Sequence, residues 1–199
     1  MVTAERKCGM EGEKSDREST ETMEGYLIGL RTFRENDVDA IMEHANNPRT
    51  RYYINQVDIK TPADKERYVQ STVDKREKGT AHIYAVVKRS SGKLIGSAGI
   101  EGINEKNDSC YFGIVIYNPD DWDRGFGTEA TRLLCNFAFG SLGLHSVRIL
   151  VYDYNKRARH VYEKCGFTVS GRYRDGIRVR GEYRDVLIMD LLEGELVRF

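Results

Sequence analysis

Residues 118–130 read NPDDWDRGFGTEA, and the sequence around them predicts a strand, a glycine-rich loop and a helix. The apolar run 111–117 before this stretch is typical of a buried strand. After it, apolar residues recur at helical spacing over 130–138. Gly125 and Gly127 let the backbone N–H groups of residues 123–128 point at one spot without side chains in the way. With the positive end of a helix dipole beside it, such a loop suits a phosphate or pyrophosphate.

Two other interpretations of this loop stay open. A glycine pair before a helix is often only a turn. The pattern Gly125-x-Gly127-x-x-Ala130 also fits the fingerprint of dinucleotide-binding domains, with Asp153 near the end of the next strand as the acid. Against that fingerprint, Pro119, Asp120, Asp121, Trp122 and Asp123 intervene between the strand and the first glycine, and only one clear strand–helix–strand unit follows. The next motif along the chain separates these interpretations better.

The composition predicts one domain with a real core in 199 residues. There are 31 Lys and Arg against 31 Asp and Glu, and this balance lacks the basic excess of a nucleic-acid binder. We find no apolar run of membrane length and no signal peptide, so a cytoplasmic protein is expected, as a monomer or homodimer. The cysteines show no metal-ligand spacing, which predicts reduced thiols and no metal site; they are Cys8, Cys110, Cys135 and Cys165.

The domain boundary is predicted near residue 25. Residues 1–24 are polar and charged with almost nothing to bury, which predicts a disordered or frayed tail before a domain at 25–199. The predicted elements are a strand at 26–32, a helix around 38–45 ended by Asn46-Asn47-Pro48, an irregular stretch at 52–54, a helix at 62–78, antiparallel strands at 82–88, 94–103 and 110–117, the helix after Gly127, a strand at 147–152 parallel to 110–117, a helix at 156–164, and strands at 167–173 and 182–192 with a turn near 175–176.

A second motif lies at 155–167, which reads NKRARHVYEKCGF. Asn155 is a good helix N-cap, and Gly166 is a good residue for the helix C-terminus. Tyr162 follows Asn155 by seven residues, or two helical turns, so both side chains can face the same side. Taken alone, the motif is also consistent with a capped surface helix that carries a half-buried tyrosine.

Together the two motifs resemble the GNAT family of acetyl-CoA-dependent N-acetyltransferases. The segment 122–127 is similar to the family's Arg/Gln-x-x-Gly-x-Gly/Ala motif, although Trp122 replaces the usual Gln or Arg. The segment 155–167 is similar to its Asn-x6-Tyr-x-Lys-x-Gly-Phe motif. The resemblance implies an α+β, three-layer fold with a central mixed sheet of about seven strands and about four helices. Trp122, the opening at 31–37 and the strand at 181–186 resemble the ribosomal-protein-alanine N-acetyltransferases (RimJ/RimL type), and polyamine acetyltransferases look similar too.

The resemblance also implies roles for individual residues, with acetyl-CoA as the cosubstrate. Asn155 is expected to bond the pantetheine or acetyl region, and Tyr162 to protonate the departing thiolate. Arg124 is expected to neutralise the pyrophosphate. The backbone of Val115, Ile116 and Tyr117 is expected to pair with the pantetheine arm, and the pyrophosphate is expected to bind the N–H groups of Asp123, Arg124, Gly125, Phe126, Gly127 and Thr128.

The general base is less well defined by the sequence. Where family members often carry Glu, this chain has Phe112 and Leu150. Glu101 on the preceding strand is the nearest candidate, acting through a water; it is equally consistent with an ordinary exposed strand residue. Proton loss to solvent through a water chain is a further route.

The expected acceptor is a primary amine, by branch resemblance the N-terminal α-amine of a protein such as a ribosomal protein. A polyamine or other small amine is the alternative, for which Glu101, Glu105 and Asp108 could supply an acidic pocket. A non-catalytic acyl-CoA-binding module and a nicotinamide-dependent oxidoreductase are the competing classes of protein.

Overall fold

The computed structural model describes residues 22–198, in which eight strands form one sheet in the order β1-β2-β3-β4-β5-β6-β8-β7. The strands are β1 Thr22–Glu24, β2 Ile28–Arg31, β3 Ala81–Lys88, β4 Leu94–Asn104, β5 Ser109–Ile116, β6 Ser146–Tyr152, β7 Thr168–Val179 and β8 Glu182–Leu192. The helices are α1 Asp37–Ala45, α2 Pro48–Tyr53, α3 Pro62–Glu77, α4 Phe126–Gly140 and α5 Lys156–Cys165, with short 3-10 turns at Pro119–Asp121 and Glu193–Glu195.

The sheet separates two hydrophobic cores, which gives the expected three-layer α+β architecture. On one face α4 and α5 pack over the sheet through residues such as Leu134, Tyr162 and Phe167. On the other face α1 and α3 cover a smaller core that includes Ile41, Val69 and others. Among these described strands only β5 and β6 pair in parallel, so the sheet is mixed and differs from the parallel sheet of a dinucleotide-binding domain.

Local sequence explains where the long helices begin and end. Thr61 and Asp64 form a reciprocal capping box at the start of α3, with Pro62 in the first turn. The Asn155 side chain accepts a hydrogen bond from the Ala158 N–H at the start of α5, and Gly166 ends that helix at φ +106°. The predicted bounds of both helices are confirmed within a residue or two.

Three predicted details differ from the structure. Pro48 does not only end α1; capped by Asn47, it begins α2, so residues 52–54 are not simply irregular. The turn predicted near 175–176 is an irregularity inside β7, and the chain reverses at Arg180 and Gly181, both at positive φ. Strand β1 occupies the last residues of the predicted tail, whose remainder, 1–21, lies outside the described residues.

A buried carboxylate fixes the start of the domain to the helix that follows the glycine-rich loop. Glu129, in the first turn of α4, accepts hydrogen bonds from the N–H groups of Tyr26, Leu27 and Ile28 at 2.7–2.8 Å. Because Gly25 has no side chain, this carboxylate fits there; a Cβ would lie 2.6 Å from the Glu129 carboxyl carbon. The contact holds β2 against the loop and explains why Glu129 is buried.

Replacing Glu129 by alanine is expected to lower the free energy of unfolding by about 3 kcal/mol, because three N–H groups lose a charged acceptor. Chemical denaturation of the two proteins measures this difference. Glu163→Ala is the matched control, since Glu163 is an exposed helix residue that forms an ion pair with Arg159, and it should change stability by about 0.5 kcal/mol at most. Equal losses of unfolding free energy in the two variants would contradict a stabilising role for the Glu129 hydrogen bonds.

Candidate active site

The parallel strands β5 and β6 separate partway along their length. They pair at Ser109, Cys110 and Tyr111, and no register partner on β6 follows for the rest of β5. On its other side β5 stays paired with β4 as far as Ile116. The second half of β5 therefore presents one unpaired edge, which faces a cleft of about 390 Å³.

Alternation along β5 decides which main-chain groups face that cleft. The Tyr117 N–H donates to the Ile95 carbonyl at 2.8 Å, and its carbonyl accepts from Thr50 Oγ1 at 2.7 Å. By alternation Val115 also faces β4, whereas Ile114 and Ile116 face the cleft. Of the three predicted backbone contacts, the geometry therefore favours Ile116 through its N–H group, since its carbonyl accepts from the Trp122 indole N–H, and Ile114 is added. For Tyr117 the expectation is corrected, because both its main-chain groups are engaged.

Six consecutive N–H groups line the start of α4 without an acceptor among residues 22–198. They belong to residues 123–128, and the first backbone bond of the helix is donated by Glu129 to the Gly125 carbonyl. Asp123 and Gly125 adopt positive φ, at +58° and +85°, which curls the loop. Unpaired N–H groups at a helix N-terminus bind anions, so the loop is suited to a pyrophosphate, as the sequence indicates.

The two loop glycines differ in what surrounds them. Gly125 needs its positive φ, and a Cβ there would lie 3.2 Å from a Leu27 methyl group. At Gly127 a Cβ would have only the Val161 methyls near it, at 3.8 and 4.0 Å. The fold therefore explains the glycine at 125, whereas the glycine at 127 is explained by the space it leaves in the cleft.

Asn155 and Tyr162 both line the cleft, as their spacing on one helix face predicts. The Asn155 side-chain oxygen caps α5, which leaves its amide N–H₂ group for another partner. The Tyr162 ring packs edge-on against Phe112 and is 5% exposed, and burial raises the pKa of its hydroxyl well above its ordinary value. Across residues 22–198 that hydroxyl makes no hydrogen bond, so it is available to a ligand.

The cations that line the cleft do not include Arg124, which the sequence suggested. Arg124 is exposed and does not line the cleft, so its expected role in neutralising the pyrophosphate is not supported. The cations that line the cleft are instead Arg157 and Lys164 of α5. The Arg157 guanidinium lies 3.7 Å from the Trp122 ring centroid, and Trp122 donates its indole N–H to the Ile116 carbonyl at 3.0 Å.

The acidic residues proposed as a base or an amine pocket lie elsewhere. Glu101 is exposed outside the cleft and forms an ion pair with Lys75 of α3 at 2.6 Å. Glu105 and Asp108 are in the turn before β5, at the opposite end of that strand from Ile116, roughly 25 Å away at 3.3 Å per residue. The expectation that Glu101 acts as the base is therefore corrected.

The thiols are poorly suited to carry an acyl group. Cys110, Cys135 and Cys165 are all buried, and burial raises the pKa of the Cys110 thiol to about 12 and that of Cys165 to about 11. A thiolate is the reactive form, so these groups are weak nucleophiles. Within residues 22–198, no three His, Cys, Asp or Glu side chains converge as a metal site, and no helix is long and apolar enough to span a membrane.

An open strand edge beside a helix start with unpaired N–H groups is suited to a pantetheine arm and its pyrophosphate. Comparison with family models agrees, because the acetyltransferase (GNAT) domain matches residues 28–168. The chain belongs to this family and is an acetyl-CoA-dependent N-acetyltransferase, so the predicted resemblance is confirmed.

Known acetyltransferases resemble this chain in sequence and in fold. The N-acetyltransferase p20 of Bacillus licheniformis is 23% identical over 88% of this chain and 98% of its own. The spermidine N(1)-acetyltransferase of Vibrio cholerae is 31% identical over 55% of this chain, and that match spans 63% of the relative. The structure of Mycobacterium smegmatis RimJ in complex with CoA-disulfide superposes with a TM-score of 0.77 at 18% identity, covering 86% of this chain and 84% of RimJ, a likeness of fold.

Proposed function

We propose that the protein acetylates the N-terminal α-amine of a protein or peptide by direct attack of the amine on acetyl-CoA in a ternary complex. The observation that carries the proposal is the open edge of β5, which leads from the α4 loop to Asn155 and Tyr162 within one cleft. The pyrophosphate would bind the N–H groups of residues 123–128, and the pantetheine would pair with Ile114 and Ile116. A cytoplasmic monomer or homodimer with reduced thiols is part of the proposal.

Asn155 and Tyr162 would act at opposite ends of the thioester. The free amide of Asn155 is placed to donate a hydrogen bond to a pantetheine or acetyl oxygen. As the amine attacks, charge moves to the CoA sulfur, whose thiol has an ordinary pKa of roughly 8.5. The Tyr162 phenol has a higher pKa than this thiol, so it would stabilise the charge on sulfur by donating a hydrogen bond, while the amine loses its proton through water and CoA departs as its thiolate.

The proton of the attacking amine would leave through water. The carboxylates that line the cleft are Asp121, which is paired with Lys88, and Asp123, which is 75% exposed at its side chain. The Asp121 carboxylate is held by the Lys88 ammonium and Asp123 is open to solvent, so the acceptor would enter as the neutral amine.

This route predicts the pH dependence of catalysis. For an α-amine acceptor, kcat/KM should rise about tenfold per pH unit and level off above about pH 8, where that amine has lost its proton. Because the pKa of Tyr162 is raised, its hydroxyl keeps its proton at alkaline pH, and no fall in rate is expected up to pH 9. Initial rates of CoA release over pH 6–9.5 measure both features; a plateau already reached at pH 6.5 would indicate a protein base instead.

Acceptor identity is tested by comparing kcat/KM for N-terminal peptides with free α-amines against the same peptides blocked at that amine, and against spermidine. The proposal predicts turnover of the free peptides and loss of that turnover on blocking. Turnover confined to spermidine would overturn the α-amine assignment while leaving the acetyltransferase chemistry intact.

A further inference from the structure

Five aromatic side chains form one continuous cluster beside the cleft: Tyr52, Tyr53, Trp122, Tyr152 and Tyr154. We refer to them as the aromatic cluster. Tyr152 stacks on Tyr154 at 5.5 Å, Tyr154 contacts Tyr52 at 4.9 Å, and the Tyr154 hydroxyl donates to the Tyr52 carbonyl at 3.0 Å. The cluster therefore joins α2 rigidly to the end of β6.

The aromatic cluster lies on the side of the sheet away from α4 and α5. Val147, Ile149 and Val151 of β6 point into the core beneath those helices. Alternation directs Tyr152 to the opposite face, where its ring meets Tyr154 and, through it, α2. Tyr53 and Trp122 of the aromatic cluster also line the cleft, so the cluster borders the mouth of the cleft beside α2. We take this mouth as the entry of the acceptor amine.

Three guanidinium groups rest on the rings of the aromatic cluster. Arg157 lies over Trp122 and Tyr53, Arg49 lies 5.2 Å from the Trp122 centroid, and Arg180 lies 4.7 Å from the Tyr52 centroid. Arg49 and Arg180 are exposed and have no carboxylate partner among the described residues, so their guanidinium groups are open to an anion.

The acids nearby do not balance these cations. Asp123 lies 3.8 Å from Arg157 on the phosphate-loop side. Asp153 lies next to Tyr154 in the chain, but it does not line the cleft, and its Oδ1 is buried. The mouth is therefore positive, which opposes a polycation and favours an anion.

We propose that this mouth selects an acceptor that carries a carboxylate one or two residues after its primary amine, bound by Arg49 and Arg180. Tyr53 lines the cleft, and its ring contacts the Tyr52 ring, over which Arg180 lies. The Tyr52 ring therefore separates the Arg180 guanidinium from the cleft wall. Each peptide residue spans about 3.3–3.6 Å, so a side chain at the second or third position of the acceptor can extend from the cleft to the guanidinium groups. This inference rests on the proposed N-terminal acceptor and specifies its chemical class.

The test uses N-terminal peptides that are identical except at positions two and three, which are both Asp, both Ser or both Lys, with spermidine alongside. Wild type should show kcat/KM at least tenfold higher for the Asp peptide than for the Lys peptide, with spermidine slowest. The preference should shrink as salt is added, because exposed charges are screened.

Charge reversal assigns the effect to the two arginines. The double variant Arg49→Glu and Arg180→Glu should reverse the preference toward the Lys peptide, with the KM for acetyl-CoA within threefold of wild type. Arg180→Gln, a milder change, should reduce the preference without reversing it. Arg174→Glu, an exposed position on the same hairpin, should leave the preference unchanged and serves as the matched control.

The outcomes separate this inference from the proposed function. Equal turnover of the three peptides, or a preference that survives charge reversal, would overturn the acidic acceptor while the N-terminal assignment stands. Turnover of spermidine with none of the peptides would overturn the N-terminal assignment itself.

Discussion

A Tyr162→Phe variant is expected to lose at least tenfold in kcat with every good acceptor, while its Kd for acetyl-CoA stays within a few-fold of wild type. Phenylalanine keeps the ring that packs against Phe112 and Phe167 and removes only the hydroxyl. We propose that this hydroxyl donates to the CoA sulfur, and positioned acids typically contribute about a hundred- to ten-thousandfold. Single-turnover acetylation and equilibrium binding measure the two quantities separately.

The control for this prediction is Tyr173→Phe, because Tyr173 is 55% exposed on β7 and does not line the cleft. It should leave both quantities unchanged. If Tyr162→Phe keeps kcat within twofold of wild type in the single-turnover assay, the hydroxyl only packs or binds water, and the leaving thiolate obtains its proton elsewhere.

A Gly127→Val variant is expected to raise the KM for acetyl-CoA at least thirtyfold with a change in unfolding free energy within about 1 kcal/mol. The fold leaves room for a side chain at this position, and valine is a better helix former than glycine. The new methyl groups would instead occupy the space through which a pyrophosphate reaches the N–H groups of residues 123–128. Thermal unfolding and initial-rate kinetics together measure the effect.

Gly140→Val is the matched control, since Gly140 ends the same helix with no atom within 4 Å of its Cβ position. It should leave the KM for acetyl-CoA unchanged and should also keep the unfolding free energy close to that of wild type. A Gly127→Val protein that unfolds readily yet keeps its affinity in the folded fraction would show that the glycine serves packing and not the cofactor.

The local parts of the site were predictable because each rests on neighbouring residues. Gly125 and Gly127 before an apolar helix predict the loop, and Asn155 with Gly166 predict the bounds of α5. Pro48 was misleading, because a proline after Asn-Asn both ends one helix and begins the next. The turn predicted near 175–176 failed for a related reason: Gly176 accommodates a tight irregularity inside β7, where a Cβ would lie 2.9 Å from Tyr173.

The parts that depend on tertiary structure were not predictable in this way. The separation of β5 from β6 after Tyr111 has no local sequence pattern, and it decides that Ile114 and not Tyr117 faces the cleft. The position of Glu101 along the chain suggests a base, whereas in the folded sheet its side chain points to Lys75 and away from the cleft. The sequence does contain one indication that Arg157 lies in the site. The first turn of α5 carries Lys156 and Arg157 and no acid, and cations at a helix N-terminus are unfavourable unless an anion binds nearby.

The most direct test of the central claim is to quantify CoA release and the acetylated amine together, using acetyl-CoA and an N-terminal peptide with Asp at positions two and three. Direct transfer predicts one CoA released for each peptide acetylated at its α-amine, and neither CoA release nor acetylation of the protein when the peptide is omitted. Acetyl-CoA that binds but yields neither product with this peptide, its Ser and Lys counterparts or spermidine would contradict the account and indicate a silent CoA-binding module.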